Sequence, residues 1–178
     1  KYYKKPKNEA LIAKIKQKYG VSIFIDHEYE KIKNYDGILW IGRGFPNWGD
    51  PYRWIIIREI DSCEYEQCSN YIQDTFNKIL DDSYISISNL EEDPYLEESS
   101  YTYTHNKNLV IGGTYSHYKI INQKNGSKEF IPNVGGPYIS YIYNKANSSI
   151  LLIGLVNNPG KDKMIYLKQL ESIFRDIK

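Results

Sequence analysis

The sequence lacks a strong charge of either sign. Its 23 basic and 22 acidic side chains leave a formal net charge of +1. Sustained binding to phosphate groups usually needs a clear basic excess. The composition therefore gives no electrostatic reason to expect nucleic acid as a partner, or a membrane that is held by charge.

Long apolar runs are also missing. No stretch approaches the roughly 18 apolar residues that suggest a membrane-spanning helix, and no signal peptide is visible. The chain begins at Lys1, and Met164 is its only methionine. We expect a soluble, trimmed segment whose targeting sequence stood upstream.

Cysteine and histidine are scarce. Cys63 and Cys68 are the only cysteines, and the three histidines are scattered without metal-ligand spacing. No metal or other cofactor is predicted. A disulfide is possible if Cys63 ends a strand and Cys68 lies in the first turn of the next helix. Cys68 equally fits a buried free thiol, because it lies on the apolar stripe of that helix.

The familiar catalytic motifs are absent too. The sequence contains no G-x-S-x-G, no H-E-x-x-H, no P-loop and no C-x-x-C. Several side chains could take part in acid–base chemistry, but nothing in their spacing pairs any two of them. They are Asp26 with His27 and Glu28, then Asp36, Asp50, Glu59 and Asp61. We interpret them as surface carboxylates and favour a protein that is not an enzyme.

Hydrophobic periodicity predicts a single α+β domain over residues 1–178. Three helices are expected, at 7–19, at 64–80 and after the breaker at 157–160. The strand candidates are 21–25, 37–43, 51–60, 84–88, 101–105, 109–112, 114–122, 128–131, 138–143 and 149–156. Segments 26–36 and 89–99 are expected to be loops. Short connections favour a mostly antiparallel sheet of about six to seven strands in an α-β-α sandwich.

The last third of the chain has the clearest pattern. Alternation at 138–143 and a continuous apolar run at 149–156 predict a hairpin. A short motif opens its first strand: Gly135, Gly136, Pro137 and Tyr138. The helix that follows has one apolar stripe, which consists of Leu167, Leu170, Phe174 and Ile177.

A turn-rich loop at 44–50 carries two aromatic side chains. The loop and its neighbours form a candidate binding surface, which comprises Arg43, Phe45, Trp48, Tyr52 and Arg53. Alternatively, the two loop aromatics fold back and close one end of the core. The 18 tyrosines of the chain either fill strands or contribute to such a surface.

The C-terminal part also carries motifs of a known family. The stretch G-G-P-Y-x-S-Y is followed by G-x-V-x-x-P and then by G-K-x-K-x-x-Y-x-K-Q-L-E. The matching positions are Gly135, Gly136, Pro137, Tyr138, Ser140, Tyr141, Gly154, Val156, Pro159, Lys161, Lys163, Tyr166, Gln169, Leu170 and Glu171. This pattern resembles a family of Bacteroidota envelope lipoproteins that is labelled only as a domain of unknown function. Val134 and Tyr138 depart from the Met and Phe of that family's motif, and the Trp before it is missing.

The family resemblance implies export and a location in the cell envelope. The chain would be the C-terminal part of a longer lipoprotein, held at the membrane by a lipid on an N-terminal cysteine that it does not contain. The resemblance implies no activity. The order of elements is also similar to the Mog1/PsbP type of α-β-α sandwich, with Phe24 and Ile25 in its opening strand, which implies the fold alone.

Two functional hypotheses follow. The first is a non-enzymatic envelope module that binds a protein partner or serves as a scaffold. The second is an envelope protein that binds or hydrolyses glycan or peptidoglycan, with Phe45, Trp48 and Tyr52 stacked on sugar rings beside a carboxylate. Facing carboxylates in a cleft would favour the second hypothesis, and a flat aromatic patch would favour the first. A purely structural domain is a third interpretation.

Overall fold

The computed structural model describes residues 6–45, 50–79, 83–88, 101–122, 124–158 and 160–178. The helices are α1 Glu9–Tyr19, α2 Tyr65–Ile79 and α3 Met164–Arg175. The strands are β1 Glu30–Tyr35, β2 Ile38–Phe45, β3 Asp50–Ile60, β4 Ser83–Ser88, β5 Tyr101–His105, β6 Asn108–Asn122, β7 Ser127–Asn144 and β8 Ser149–Asn157. Among these residues, none of the helices combines the length and apolar character that crossing a bilayer requires.

All eight strands belong to one sheet, and every pairing is antiparallel. Seven strands follow the order β1-β2-β3-β8-β7-β6-β4, and β5 pairs with β6. Strand β6 is long enough to hold two partners along one edge, because residues 108–112 pair with β5 and residues 114–119 pair with β4. The predicted antiparallel α+β fold is confirmed.

Helices cover both faces of the sheet. On one face, α1 and α3 share a core with residues such as Leu39 and Ile55. On the other face, α2 forms a second core above Ile56, Leu151 and Ile153. All nine residues of β8 are buried, as its continuous apolar run predicts for a strand that is covered on both sides. The predicted α-β-α sandwich is confirmed.

The strand predicted at 21–25 is wrong. The segment has buried apolar side chains, but its backbone pairs outside the sheet. Ser22 and Lys178 exchange two backbone hydrogen bonds of 2.8 and 3.0 Å, and Ile25 O accepts from Asn8 N at 2.8 Å. The backbone groups of a strand-like segment can thus find hydrogen-bond partners outside the sheet, here in the segment after α3. Hydrophobic periodicity does not reveal such partners.

The loop predicted at 26–36 is also wrong in part, because residues 30–35 form β1. This strand pairs with β2, and its register shifts between Lys31 and Lys33. Its residues are mostly exposed, since it lies at the end of the strand order. An exposed edge strand has little apolar alternation, and therefore it looks like a loop in the sequence. The loop predicted at 89–99 lies outside the described residues.

Strand β7 is longer than predicted. Residues 127–144 run as one strand, so that the motif at Gly135–Tyr138 lies inside β7 instead of at its start. Pro137 pairs with Thr114 of β6, and pairing with β8 begins one residue later at Tyr138. On the β8 side Pro137 therefore occupies a position like a sheet edge, where proline is tolerated.

Gly136 lies where two backbones approach closely. A Cβ atom at this position would collide with the carbonyl oxygen of Val156, and one at Gly135 would lie 2.8 Å from the carbonyl oxygen of Tyr115. We expect Gly136→Val to lower the free energy of unfolding by about 1–3 kcal/mol, which is typical of overpacking. Urea unfolding measures this change. The matched control is Glu129→Val, an exposed position on the same strand, and equal midpoints for both variants would contradict the expectation.

Candidate functional site

An aromatic patch lies on the α2 side of the sheet, at the strands β1, β2 and β3. We define the aromatic patch as Ile32, Tyr35, Trp40, Tyr52 and Trp54. The rings of Tyr52 and Trp54 are stacked, with centroids 5.6 Å apart and planes at 21°. Trp40 meets Trp54 edge-on, at 5.7 Å and 90°. Trp40, Trp54 and Tyr52 therefore form a continuous row of rings on this face, and Tyr35 lies farther along β1, opposite Ile38.

Gly42 forms the floor of the aromatic patch. It is the cross-strand partner of Trp54. A Cβ atom at Gly42 would lie 2.6 Å from Trp54 Cδ1 and 2.6 Å from Ile32 Cδ1. The missing side chain thus lets Ile32 and Trp54 close over the strand. A cleft of about 120 Å³ remains there, with Glu28 and Glu30 at its rim.

The aromatic patch is open because α2 lies elsewhere on this face. The buried side of α2 packs with residues of β3, β8, β7 and β6, such as Ile56, Leu151 and Ile142. Trp40 and Trp54 only border that core and are half-buried. Ile32, Tyr35 and Tyr52 are 48%, 52% and 38% exposed. Three of the six large exposed apolar side chains among the described residues therefore share this one surface.

An arginine pair lies on the opposite face of the same strands. Arg43 and Arg53 are cross-strand partners, and both are buried. Two like charges in this position repel each other unless they are neutralised. Arg43 Nη1 lies 2.5 Å from a carboxylate oxygen of the fully buried Asp26, and its Nη2 pairs with Glu28. Arg53 Nη2 lies 2.6 Å from Asp50.

Helix α3 closes the arginine pair from above. Arg53 Nη1 donates to Gln169 Oε1 at 3.2 Å, and its guanidinium lies 5.1 Å from the centre of the Tyr166 ring. Arg43 lies similarly over Tyr29, at 5.9 Å. Charge pairing and cation–π contacts therefore hold both arginines in the interior. This arrangement stabilises the fold and leaves no exposed cationic surface at these two positions.

The structure places the predicted binding residues that it describes on two different faces of the sheet. Tyr52 belongs to the exposed aromatic patch, whereas Arg43 and Arg53 are brought together on the other face. Phe45 ends β2, but its side chain and the whole of Trp48 lie outside the described residues. The prediction missed the other four residues of the aromatic patch, which are Ile32, Tyr35, Trp40 and Trp54. Their only sequence signal is an aromatic alternation around Gly42 in strands that otherwise look like core.

The candidate carboxylates lie apart. Asp50 and Glu59 are near opposite ends of β3, roughly 30 Å apart at 3.4 Å per residue, and Asp36 is in the β1–β2 turn. A pair of catalytic carboxylates in a glycosidase is about 5 to 10 Å apart. Lys145 and Ser148 both donate hydrogen bonds to Glu59, and these bonds hold its pKa below the usual range. The structure therefore separates Asp50 from Glu59, whereas Asp36 lies in the turn near the Glu59 end of β3.

A second polar cluster joins β5 to α3. The Tyr103 hydroxyl donates to Glu171, and Arg175 Nη2 lies 2.8 Å from the same hydroxyl and 2.7 Å from Glu171. Burial and the neighbouring Glu171 carboxylate raise the pKa of Tyr103. The hydroxyl therefore stays protonated and serves as a donor. The clefts found among the described residues have other linings, so this cluster is interpreted as a structural contact.

The structure joins Cys63 and Cys68 in a disulfide, with their Cα atoms 5.5 Å apart. Cys63 precedes α2, and Cys68 is fully buried in its first turn. The bridge therefore fixes the start of α2 against the end of β3. Among the described residues, no group of three or more His, Cys, Asp or Glu side chains could hold a metal ion.

Removal of a carboxylate from the arginine pair provides a test of its structural role. We expect Asp26→Ala to lower the free energy of unfolding by about 3–5 kcal/mol, because it removes the fully buried carboxylate that pairs with Arg43. Replacing both partners, as Asp26→Leu with Arg43→Met, should restore much of the loss. Denaturant unfolding measures both. The control is Glu28→Ala, the exposed partner of the same arginine, for which we expect about 1 kcal/mol or less.

Comparison with solved structures supports the fold. The chain is similar to the solution structure of cyanobacterial PsbP (CyanoP) from Synechocystis sp. PCC 6803, with a TM-score of 0.50 and 8% identity over 89% of this chain and 86% of that chain. This likeness shows the fold alone, and it confirms the predicted PsbP type. The lipid transfer and protein localization domain of human StarD13 (DLC2) also matches, with a TM-score of 0.32 and 10% identity over 94% of this chain and 92% of that chain.

Family membership rests on the sequence. No curated protein matches the chain. The family described as "Domain of unknown function (DUF4837)" matches residues 8–176, which includes every helix and strand described above. The chain therefore belongs to the DUF4837 family.

Proposed function

We propose that this domain is a non-enzymatic module that binds a protein partner through the aromatic patch. The observation that carries the proposal is that exposed Ile32, Tyr35 and Tyr52 and two half-buried tryptophans share one face of strands β1, β2 and β3. Aromatic side chains are enriched at the centres of protein interfaces, where they supply much of the binding energy. The partner would present an apolar surface to these five side chains.

The shape of the aromatic patch favours a protein over a small molecule. Its cleft of about 120 Å³ is below the roughly 300–1,000 Å³ of typical ligand pockets. The edge-on contact of Trp40 and Trp54 also breaks the surface into two ring orientations. A shallow apolar surface of this kind suits a complementary protein surface better than an enclosed ligand.

A glycan is the second candidate. The observation that favours it is the stacked pair of Tyr52 and Trp54, since the outer face of a nearly parallel ring pair can stack on a sugar ring. Glu28 and Glu30 at the rim could accept hydrogen bonds from sugar hydroxyls. This candidate covers the binding of envelope polysaccharide or peptidoglycan. We do not propose its hydrolysis, because Asp50, which lies beside Tyr52, is roughly 30 Å along β3 from Glu59 at 3.4 Å per residue. Lys145 and Ser148 also engage the Glu59 carboxylate.

Photocrosslinking tests the protein partner. A photoreactive residue at Tyr52 should crosslink a defined protein in native cells, and the same residue at Ile121 should not. Ile121 is a suitable control because it is 58% exposed but lies on β6. We then expect Tyr52→Ala with Ile32→Ala to weaken binding of the purified partner tenfold or more, as hot-spot truncations do. Unchanged affinity would overturn the proposal, and binding of purified glycan lost in the same variant would establish the second candidate.

We also propose that the domain is located in the cell envelope of Bacteroidota, as part of a lipoprotein. The C-terminal motif of Gly135–Glu171 supports this location through the family resemblance. The disulfide of Cys63 and Cys68 supports it independently, since disulfides persist mainly in oxidising compartments outside the cytosol. The lipid would be attached outside the sequence described here.

The redox state in cells tests this location. When free thiols are blocked by alkylation at the moment of lysis, we expect Cys63 and Cys68 to remain unlabelled until a reductant is added. Mass spectrometry of the intact protein measures the label. A Cys63→Ser variant is the control, because it leaves Cys68 without a partner. Two alkylated cysteines without reductant would contradict an oxidising location.

A further inference from the structure

The outer face of α3 differs from that of the other helices. The exposed residues of α3 are Met164, Ile165, Lys168, Ser172 and Arg175. Met164 and Ile165 are 49% and 59% exposed and adjacent in the chain. The exposed residues of α2, by contrast, are all polar: Glu66, Gln67, Asn70, Asn77 and Lys78. The solvent side of α3 therefore combines a large apolar tip with cations and has no exposed carboxylate of its own.

The charges of the two helix layers are also unequal. Helix α1 carries three lysines and one glutamate, and α3 carries one lysine, one arginine and one glutamate. Glu171, the glutamate of α3, is already bonded to Arg175. Helix α2 on the other face carries two acidic residues and one lysine. A net charge near zero for the whole chain thus conceals a positive α1–α3 side.

The chain segment before α3 adds further charged residues beside Met164 and Ile165. Lys161 is exposed and Lys163 is partly exposed. Asp162 is the one acidic residue between them, and its carboxylate accepts the backbone N–H of Met164 at 2.9 Å. Its negative charge is therefore directed at the helix start, where the dipole favours it. The surroundings of Met164 and Ile165 consequently keep a net positive charge.

We propose that the start of α3 is a contact site for an anionic lipid surface. Met164 and Ile165 would enter the boundary between headgroups and acyl chains, and Lys161, Lys163 and Lys168 would bind lipid phosphates around them. A helix with an apolar tip and a cationic rim binds membranes in this way. Lysine stems can lie along the apolar region while their ammonium groups reach the headgroups. A stable protein interface would need a larger apolar area than two side chains supply.

This contact would orient the domain. The α1–α3 side would face the lipid, and the aromatic patch on the α2 side of the sheet would face away from it. A single lipid chain gives only marginal membrane binding, and a second, electrostatic signal makes it stable. The start of α3 is suited to supply that second signal. The inference uses the surface of α3 and of the segment before it, and it does not depend on the partner proposed above.

Vesicle co-sedimentation tests the proposal. The 178-residue chain should bind vesicles of phosphatidylethanolamine with phosphatidylglycerol. Its binding to vesicles of phosphatidylcholine alone should be much weaker. Met164→Ser with Ile165→Ser should lower the partition coefficient by about tenfold or more. Lys161→Glu with Lys168→Glu should lower it by about fivefold or more for each lysine. Higher ionic strength should weaken the binding, because screening shortens the range of the charges.

Two control variants make the outcome specific. Ile121→Ser changes an isoleucine of similar exposure, 58%, on β6, and should bind vesicles as the unchanged chain does. Tyr52→Ser in the aromatic patch should also bind unchanged, which separates this inference from the proposed function. No binding to anionic vesicles, equal binding to both lipid compositions, or undiminished binding of the Met164–Ile165 variant would overturn the proposal. Loss of a protein partner in that variant without vesicle binding would also overturn it.

Discussion

Two like charges, Arg43 and Arg53, face each other on neighbouring strands in the interior, and the fold depends on how they are neutralised. Asp26 reaches one of them from the segment that precedes β1, and Asp50 reaches the other from the start of β3. Gln169 adds a hydrogen bond from α3. One electrostatic requirement thereby connects the N-terminal segment, the central strands and the C-terminal helix.

The same strands explain why the two sides of the molecule differ. Side chains alternate between the two faces of a strand. Arg43 follows Gly42 in β2, and Arg53 precedes Trp54 in β3, so that the two arginines lie on the face opposite to Gly42 and Trp54. The arginine side is closed by α3 and its tyrosine. The other side is open, because α2 is centred on strands farther along the sheet. A single pair of strands therefore contributes a charge-paired interior on one face and a partly exposed aromatic surface on the other.

The sequence predicts the parts of this fold that have a strong period. Helices α2 and α3 and the buried strand β8 fall close to their predicted positions, since burial imposes a clear pattern on each. Strand β1 was missed because an edge strand needs few apolar residues. Segment 21–25 was misassigned because its pattern is that of a strand, although its backbone bonds to Lys178. The aromatic patch depends on where α2 lies across the sheet, and no local pattern encodes that placement.

The hydrogen bonds between Ser22 and Lys178 have a topological consequence. They bring the segment after α1 beside the segment after α3. Lys7 and Lys178 also line one cleft. A short linker between Lys7 and Lys178 would close the domain into a ring without crossing the sheet. New ends could then be opened in the turn at 145–148, which connects β7 to β8. A chain that starts in that turn could thus form the same strand order.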